Sequence, residues 1–415
     1  MKKLCFLLFA ILFLYSKIGV AQELSFKTKD GEMIIPNASI EKPDDKNIRL
    51  HSEIIIYKTN KKLANGLPPN AETPASIACI YGLTVPIPGC PIHGTTAVPT
   101  GGWGAIAVVE QGDDPFAEED LNVFSRQFGL PPCTTANGCF RKVFVGGVVP
   151  PVNPSAEHDL DAQWAHAMAP NAKIIMVEGR TFEIPEVFRA IDLASQLVQA
   201  AGGGEVSISD SHPEFAGEAA YDSHFTTPGI VYFGSAGDYS APARYPSSSP
   251  NVISAGGTQI VRDGNGNFVK EIAWSRDFTI PPPNKNGGSG GPSVFEPRPA
   301  YQNIVAKIVG GARGTPDISF DSAPISGVAV YSTLRGGWVR SGGTSVAAPA
   351  LAGIINAANS RAMSTSDELM IIYTGSIKNY HSYWNDTLEG FNGFQTLAGY
   401  DFVTGLGSPR GYGGK

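Results

Sequence analysis

The chain has 415 residues, 42% hydrophobic and only 17% charged, with a formal net charge of −7. That length suits one large α/β domain with a small extension. An acidic balance without a basic run excludes the electrostatic footprint of a nucleic-acid binder, and few charges limit the change in net charge as carboxylates protonate, which suits acid tolerance.

In chain order, Lys2 and Lys3 precede an apolar run from Leu4 to Tyr15, and Gly19-Val-Ala21 supplies small residues. This reads as an export signal over residues 1–21, because the run is too short to span a bilayer comfortably. Cys5 sits too early for lipid attachment. Loss of the signal removes three lysines and no acid, taking the net charge from −7 to −10. Residues 22–72 are polar with clustered Lys, Asp and Asn, and end in the linker signal Asn65-Gly-Leu-Pro-Pro-Asn70. The segment is expected to form a short extension or reduced propeptide with few core contacts. Against that, the apolar run Ile54-Ile-Ile-Tyr57 could pair with a sheet edge. The main domain is then 73–415.

Cys79, Cys90, Cys133 and Cys139 remain after the signal, an even number that fits an exported protein. Three connectivities are open. Pairing neighbours gives Cys79–Cys90 and Cys133–Cys139, and no Cys-x-x-Cys spacing favours zinc. From Trp103 onward apolar strands alternate with helical patterns: 104–110 then 116–128, 173–178 then 185–200, 205–209 then 217–225, 230–235 and finally 346–360. That is the α/β pattern of a mainly parallel sheet. Pro281–Pro292 reads as a flexible loop.

Two segments carry chemistry. In Ser155–Pro170, helical spacing places Glu157, Leu160, Asp161, Trp164 and Met168 on one face, with His158, Asp159, Ala162, Gln163 and His166 on a mostly polar one. Glu157 and Asp161 thus point toward the core, where an unpaired carboxylate is costly and a neighbouring like charge raises a pKa. The plainer reading is an amphipathic helix with two acids at its solvated edge. Downstream, Gly342-Gly-Thr-Ser345 opens a small-residue helix, with Pro349 expected in about the first turn. Ser345 there lies near free backbone N–H groups. A serine needs a base. His93 sits in a turn-rich loop, and His158 and His166 fall on the polar face, so the carboxylates are the better candidates.

Glu-x-x-x-Asp on a helix, followed far later by Gly-Thr-Ser-x-x-x-Pro, resembles the sedolisins, serine-carboxyl peptidases with a subtilisin-like fold. Between them, Gly229–Asp238 is similar to the family's strand and Gly-Asp turn, and Tyr245–Thr258 to its Pro-Ala-Ser-Ser-Pro and Gly-Gly-Thr segments. Asp401-Phe-Val-Thr-Gly-Leu-Gly-Ser-Pro409 matches the end of its calcium loop. The resemblance runs from about Thr73 to Pro409. It implies that Ser345 attacks the peptide carbonyl, Glu157 takes and returns its proton, and Asp161 orients Glu157. A protonated Asp238 would donate to the oxyanion, and Glu110 would hydrogen-bond Glu157. It also implies one Ca2+ held by Asp386 and Asp401 with carbonyls of Thr387, Leu397 and Gly399. Leu397 stands where the family often has Gly, which a carbonyl ligand tolerates if φ is negative. Asp210 stands where relatives often carry Trp, and residues 22–72 are far shorter than the usual propeptide. The implied function is a secreted or periplasmic, acid-acting serine endopeptidase. Its substrates would be proteins or peptides, without nucleic acid, without membrane after signal removal, and as a monomer. A tripeptidyl aminopeptidase or a catalytically silent binding protein on the same scaffold are the alternatives.

Overall fold

The computed structural model describes residues 23–28, 31–42, 45, 48–147, 150, 155–276 and 285–415, without the side chain of Lys378. The export-signal reading, and 281–284 of the Pro281–Pro292 loop, fall outside them.

The strand Ala105–Gln111 is buried along its whole length. It lies between Lys173–Gly179 and Gly204–Ile208, both parallel to it. A strand covered on both faces has no solvated side, which is why this run is apolar rather than alternating. The sheet continues through Ile230–Ser235 and Ile253–Arg262 on one side and ends in Phe140–Phe144 on the other. Among the described residues only the edge strand Phe268–Ala273 pairs antiparallel in this sheet. Ile106 and Val108 face the large core made with the helices Glu157–Met168 and Thr344–Ala358. Ala105, Ala107 and Val109 face a second core built with the helix Ile184–Ala200. The expected mainly parallel sheet flanked by helices is therefore present.

The two helices on the first face pack closely. A Cβ on Gly353 would lie 2.7 Å from the Cβ of Met168 and 2.9 Å from the carbonyl of Ala165. This glycine lets the helix that carries Glu157 approach the helix that carries Ser345.

Residues 22–72 were expected to contribute little to the core, and the structure differs. Leu24–Thr28, Gly31–Ile35 and Ile55–Thr59 form an antiparallel sheet that continues into Gly337–Gly342 and Val328–Ser332 of the main domain. Ile34, Ile54, Ile56 and Leu67 belong to the large core. The sheet-edge alternative is the one realised. Clustered charges around a short apolar run conceal a strand whose Ile54, Ile55 and Ile56 are each at most 1% exposed.

Candidate active site

Ser345 is the second residue of the helix Thr344–Ala358, whose cap is Gly343. At this position the helix itself offers the amide no partner. The Ser345 N–H donates instead to the carbonyl of Glu53, at 3.1 Å, and its hydroxyl donates to the carbonyl of Ser209, at 3.2 Å. Gly343 has φ +102°, and a Cβ there would come within 2.0 Å of the Glu53 oxygen and 2.8 Å of Asp238 Oδ2. Only glycine leaves room for both oxygens. Pro349 falls beyond the first turn, later than expected, where its missing N–H frees the Ser345 carbonyl of its intrahelical bond.

Glu157 begins its helix after Ala156, which adopts a left-handed conformation with φ +69°. Every residue of Glu157–Met168 is buried, so the polar face inferred from periodicity is not solvated. The reason is the second layer of packing: His158 Nε2 meets the Gly112 carbonyl at 2.8 Å, and His166 Nε2 the Pro131 carbonyl at 2.9 Å. The solvated-edge alternative for Glu157 and Asp161 fails with it. Burial, then the charge of Asp161, push the Glu157 carboxyl well above its usual range, while the hydroxyl of Ser345 opposes the shift. Asp161 is also raised well above normal, by burial first; the hydroxyl of Ser209, donating to Asp161 Oδ2 at 2.7 Å, opposes it. Burial and then Asp161 raise Glu110 likewise. Among the described residues neither Glu157 oxygen has a hydrogen-bond partner, and Glu110 Oε2 lies 3.6 Å from His158 Nδ1. Several buried carboxyls with raised pKa thus cluster beside one serine hydroxyl, an arrangement suited to general acid and base chemistry.

Asp238 follows the strand Ile230–Ser235 and is fully buried. Its Oδ1 accepts from Thr344 N–H at 2.7 Å and from the Thr344 hydroxyl at 2.9 Å. Burial raises its pKa, against the pull of Lys285. Lys285 Nζ lies 3.5 Å from Oδ2.

The N-terminal segment crosses this site in extended form. His51 and Ser52 pair antiparallel with Ser211 and Asp210. The Glu53 N–H donates to the Ser209 carbonyl at 3.0 Å, and Ile55 pairs with Gly342. Upstream, Leu50 N–H bonds the Phe182 carbonyl at 2.8 Å. The backbone is therefore held on both sides of the Glu53–Ile54 peptide, with the Glu53 carbonyl at the Ser345 amide.

No family model matches the chain. Sedolisin from Pseudomonas sp. (strain 101) is 33% identical over 176 residues, which is 41% of this chain and 28% of that protein. Kumamolisin from Bacillus sp. (strain MN-32) is 27% identical over 297 residues, 63% of this chain and 50% of that protein. Pseudomonas sedolisin, a serine-carboxyl proteinase solved with two molecules of pseudo-iodotyrostatin, shares the fold with a TM-score of 0.66. The identity there is 23%, over 82% of this chain and 96% of that one. The chain is thus similar in sequence to sedolisin and kumamolisin and shares the sedolisin fold. It matches between 28% and 50% of the length of those two curated relatives.

Ser345, Glu157, Asp161, Asp238 and Glu110 lie in one buried cluster. The C-terminal loop is separate. Asp401 Oδ2 accepts from Leu397 N–H at 2.9 Å and Oδ1 from Val403 and Thr404 N–H, both at 2.8 Å. Asp386 Oδ2 accepts from Gly399 N–H at 3.1 Å. The Tyr380 hydroxyl faces Asp386 Oδ1 at 3.0 Å and the Gly399 carbonyl at 3.2 Å. Leu397 has no positive φ, the condition its carbonyl needed. Thr387 is 1% exposed and its hydroxyl oxygen has no partner. Among the described side chains neither aspartate pairs with a cation. Two uncompensated carboxylates in a carbonyl-rich turn are a donor set that fits a hard cation.

Cys79–Cys90 and Cys133–Cys139 are the disulfides. His166 lies beside the second pair, whose sulfurs are already spent in the bond. His93 is a loop residue bonding the Pro69 carbonyl at 2.9 Å. Sequence reasoning missed Glu53, Ser209, Arg244 and Lys285. The one available signal was a glutamate directly before Ile54-Ile-Ile-Tyr57. Among the described residues no helix is long and apolar enough to cross a membrane.

Proposed function

We propose that this chain is an acid-acting serine-carboxyl endopeptidase exported from the cell, working as a monomer on proteins or peptides. Ser345 attacks the carbonyl, and Glu157 receives its proton and passes it to the leaving amine. Asp161 orients Glu157, Glu110 adds its charge to the same cluster, and a protonated Asp238 joins the Ser345 amide in stabilising the oxyanion. The observation that carries this reading is the Ser345 amide bonded to the carbonyl of an extended segment, with Glu157 and Asp238 beside it.

A tripeptidyl aminopeptidase would close the cleft after the third residue before the cut. The segment continues beyond that point, through Leu50 to Ile48, whose carbonyl accepts from Ile184 N–H at 3.3 Å. This favours an open cleft and the endopeptidase reading. One Ca2+ would be held by Asp386 and Asp401 with carbonyls of Thr387, Leu397 and Gly399, to brace the C-terminal loop. Ser345→Ala should abolish digestion of a protein substrate and of an N-blocked peptide across acid pH while leaving melting nearly unchanged. Its hydroxyl makes one ordinary hydrogen bond, worth about 1 kcal/mol. Survival of more than a trace of wild-type activity in that variant would refute the assignment.

A further inference from the structure

The segment that fills the cleft also reports what the cleft selects. The Glu53 side chain is wholly buried, and its carboxylate meets the Lys285 ammonium and the Ser211 hydroxyl, with Arg244 Nε 3.9 Å away. Lys285 is itself only 1% exposed, and Arg244 only 4%. Arg244 is fixed by Ser211, whose Oγ accepts from its Nε at 2.7 Å, and by stacking over the Tyr239 ring at 4.3 Å. Lys285 lies 4.7 Å from the same ring. Two buried cations around one side chain are costly unless a negative group joins them. Arg244 is also paired with Glu41, so the pocket's complementarity to a carboxylate rests mainly on Lys285, which an apolar side chain would leave with only Asp238 nearby.

Resting on the peptidase reading above, we infer that Lys285, Arg244 and Ser211 form an acid-selective subsite. It would bind the side chain of the residue supplying the scissile carbonyl, and the Glu53–Ile54 bond of this chain is its first substrate. In that step the Ser345 oxygen bonds to the Glu53 carbonyl carbon and its proton passes to Glu157. Glu157 returns it to the Ile54 nitrogen as the C–N bond breaks. Water then hydrolyses the ester, leaving a Glu53 carboxylate and a free Ile54 amine. The selection has a second effect. Lys285 is 3.5 Å from Asp238 Oδ2 and disfavours the proton Asp238 needs. A substrate carboxylate neutralises Lys285, so an acidic residue in the subsite helps assemble the oxyanion donor.

The full chain is held at acid pH and followed by intact mass and N-terminal sequencing. The resulting enzyme is then given internally quenched peptides that differ only by Glu, Gln, Leu or Lys before the cut. The expected result is a new N-terminus at Ile54, absent in Ser345→Ala, and Glu preferred over Leu and Lys by about tenfold or more. Lys285→Met should collapse the Glu-to-Leu ratio toward or below one, a ratio that is independent of how much enzyme folds. Wild-type cleavage of all four peptides at similar rates, or a first cut elsewhere, overturns the inference and leaves the peptidase reading standing. An unchanged mass with no peptide hydrolysed overturns both.

Discussion

Asp238 is the residue whose substitution most sharply tests the proposed chemistry. Its Oδ1 is fixed by two donors from Thr344, so Oδ2 is the atom aimed at the Glu53 carbonyl region. Asp238→Asn keeps an acceptor for Thr344 and replaces Oδ2 by an amide that donates at any pH. Asp238→Ala removes the donor, which costs roughly 100- to 1,000-fold in kcat, about 3 to 4 kcal/mol. The alanine variant also leaves the buried Thr344 N–H unpaired, at about 1 to 3 kcal/mol of stability. Burial raises the wild-type carboxyl and Lys285 pulls it back, so the donor form is lost as pH rises through the raised value. Asp238→Asn should therefore be somewhat slower than wild type in acid, because its amide faces the Lys285 ammonium. It should keep a larger share of its activity toward neutral pH. The assay is kcat against pH for an N-blocked peptide with all three proteins after acid processing. Equal impairment of Asn and Ala variants at every pH, or an alkaline limb unmoved by the Asn change, would refute a protonated Asp238 as the oxyanion donor.

Ile56 is fully buried in the main core; Ile56→Ala should cost about 2 to 5 kcal/mol, and a chain starting near Glu72 should not fold soluble. Normal melting of either protein would show the segment to be dispensable. Burial, before any other cause, raises Asp210 to about 7 from 3.8, so at this residue the fold binds more protons than the unfolded chain. The stability it contributes is full below about pH 4 and is lost as pH rises through about 7. His158, lowered to about 4 by burial first, acts oppositely below about pH 6.5. Urea midpoints should therefore be higher at pH 5 than at pH 7.5, and the reverse order would contradict this balance. Chelation at mildly acidic pH should lower the melting temperature, and Asp401→Ala should abolish that response. An unchanged curve together with no calcium by elemental analysis would leave the loop without a metal.

The ordered motifs were legible because each rests on local geometry. The strand-then-helix alternation follows from burial on both sheet faces, and Gly343-Thr-Ser345 from the free amides at a helix start. Glu157 and Asp161 follow from a spacing of four, and Asp238 from a strand-end turn. Periodicity failed where a second layer covered what one helix would expose. His158, Asp159 and His166 look solvated on a helical wheel, yet they are buried because Gly112 and Pro131 lie over that face. The role of residues 22–72 was hidden for a related reason. Composition measures how often charges occur, not where the few apolar residues go. The Ile54–Tyr57 run found its partners in Gly337–Gly342, nearly three hundred positions away. The meeting of Glu53 with Lys285 and Ser345 is likewise decided only in three dimensions. Their contacts bridge separations no local pattern encodes, and the attraction of buried opposite charges depends on distance and dielectric rather than on order along the chain.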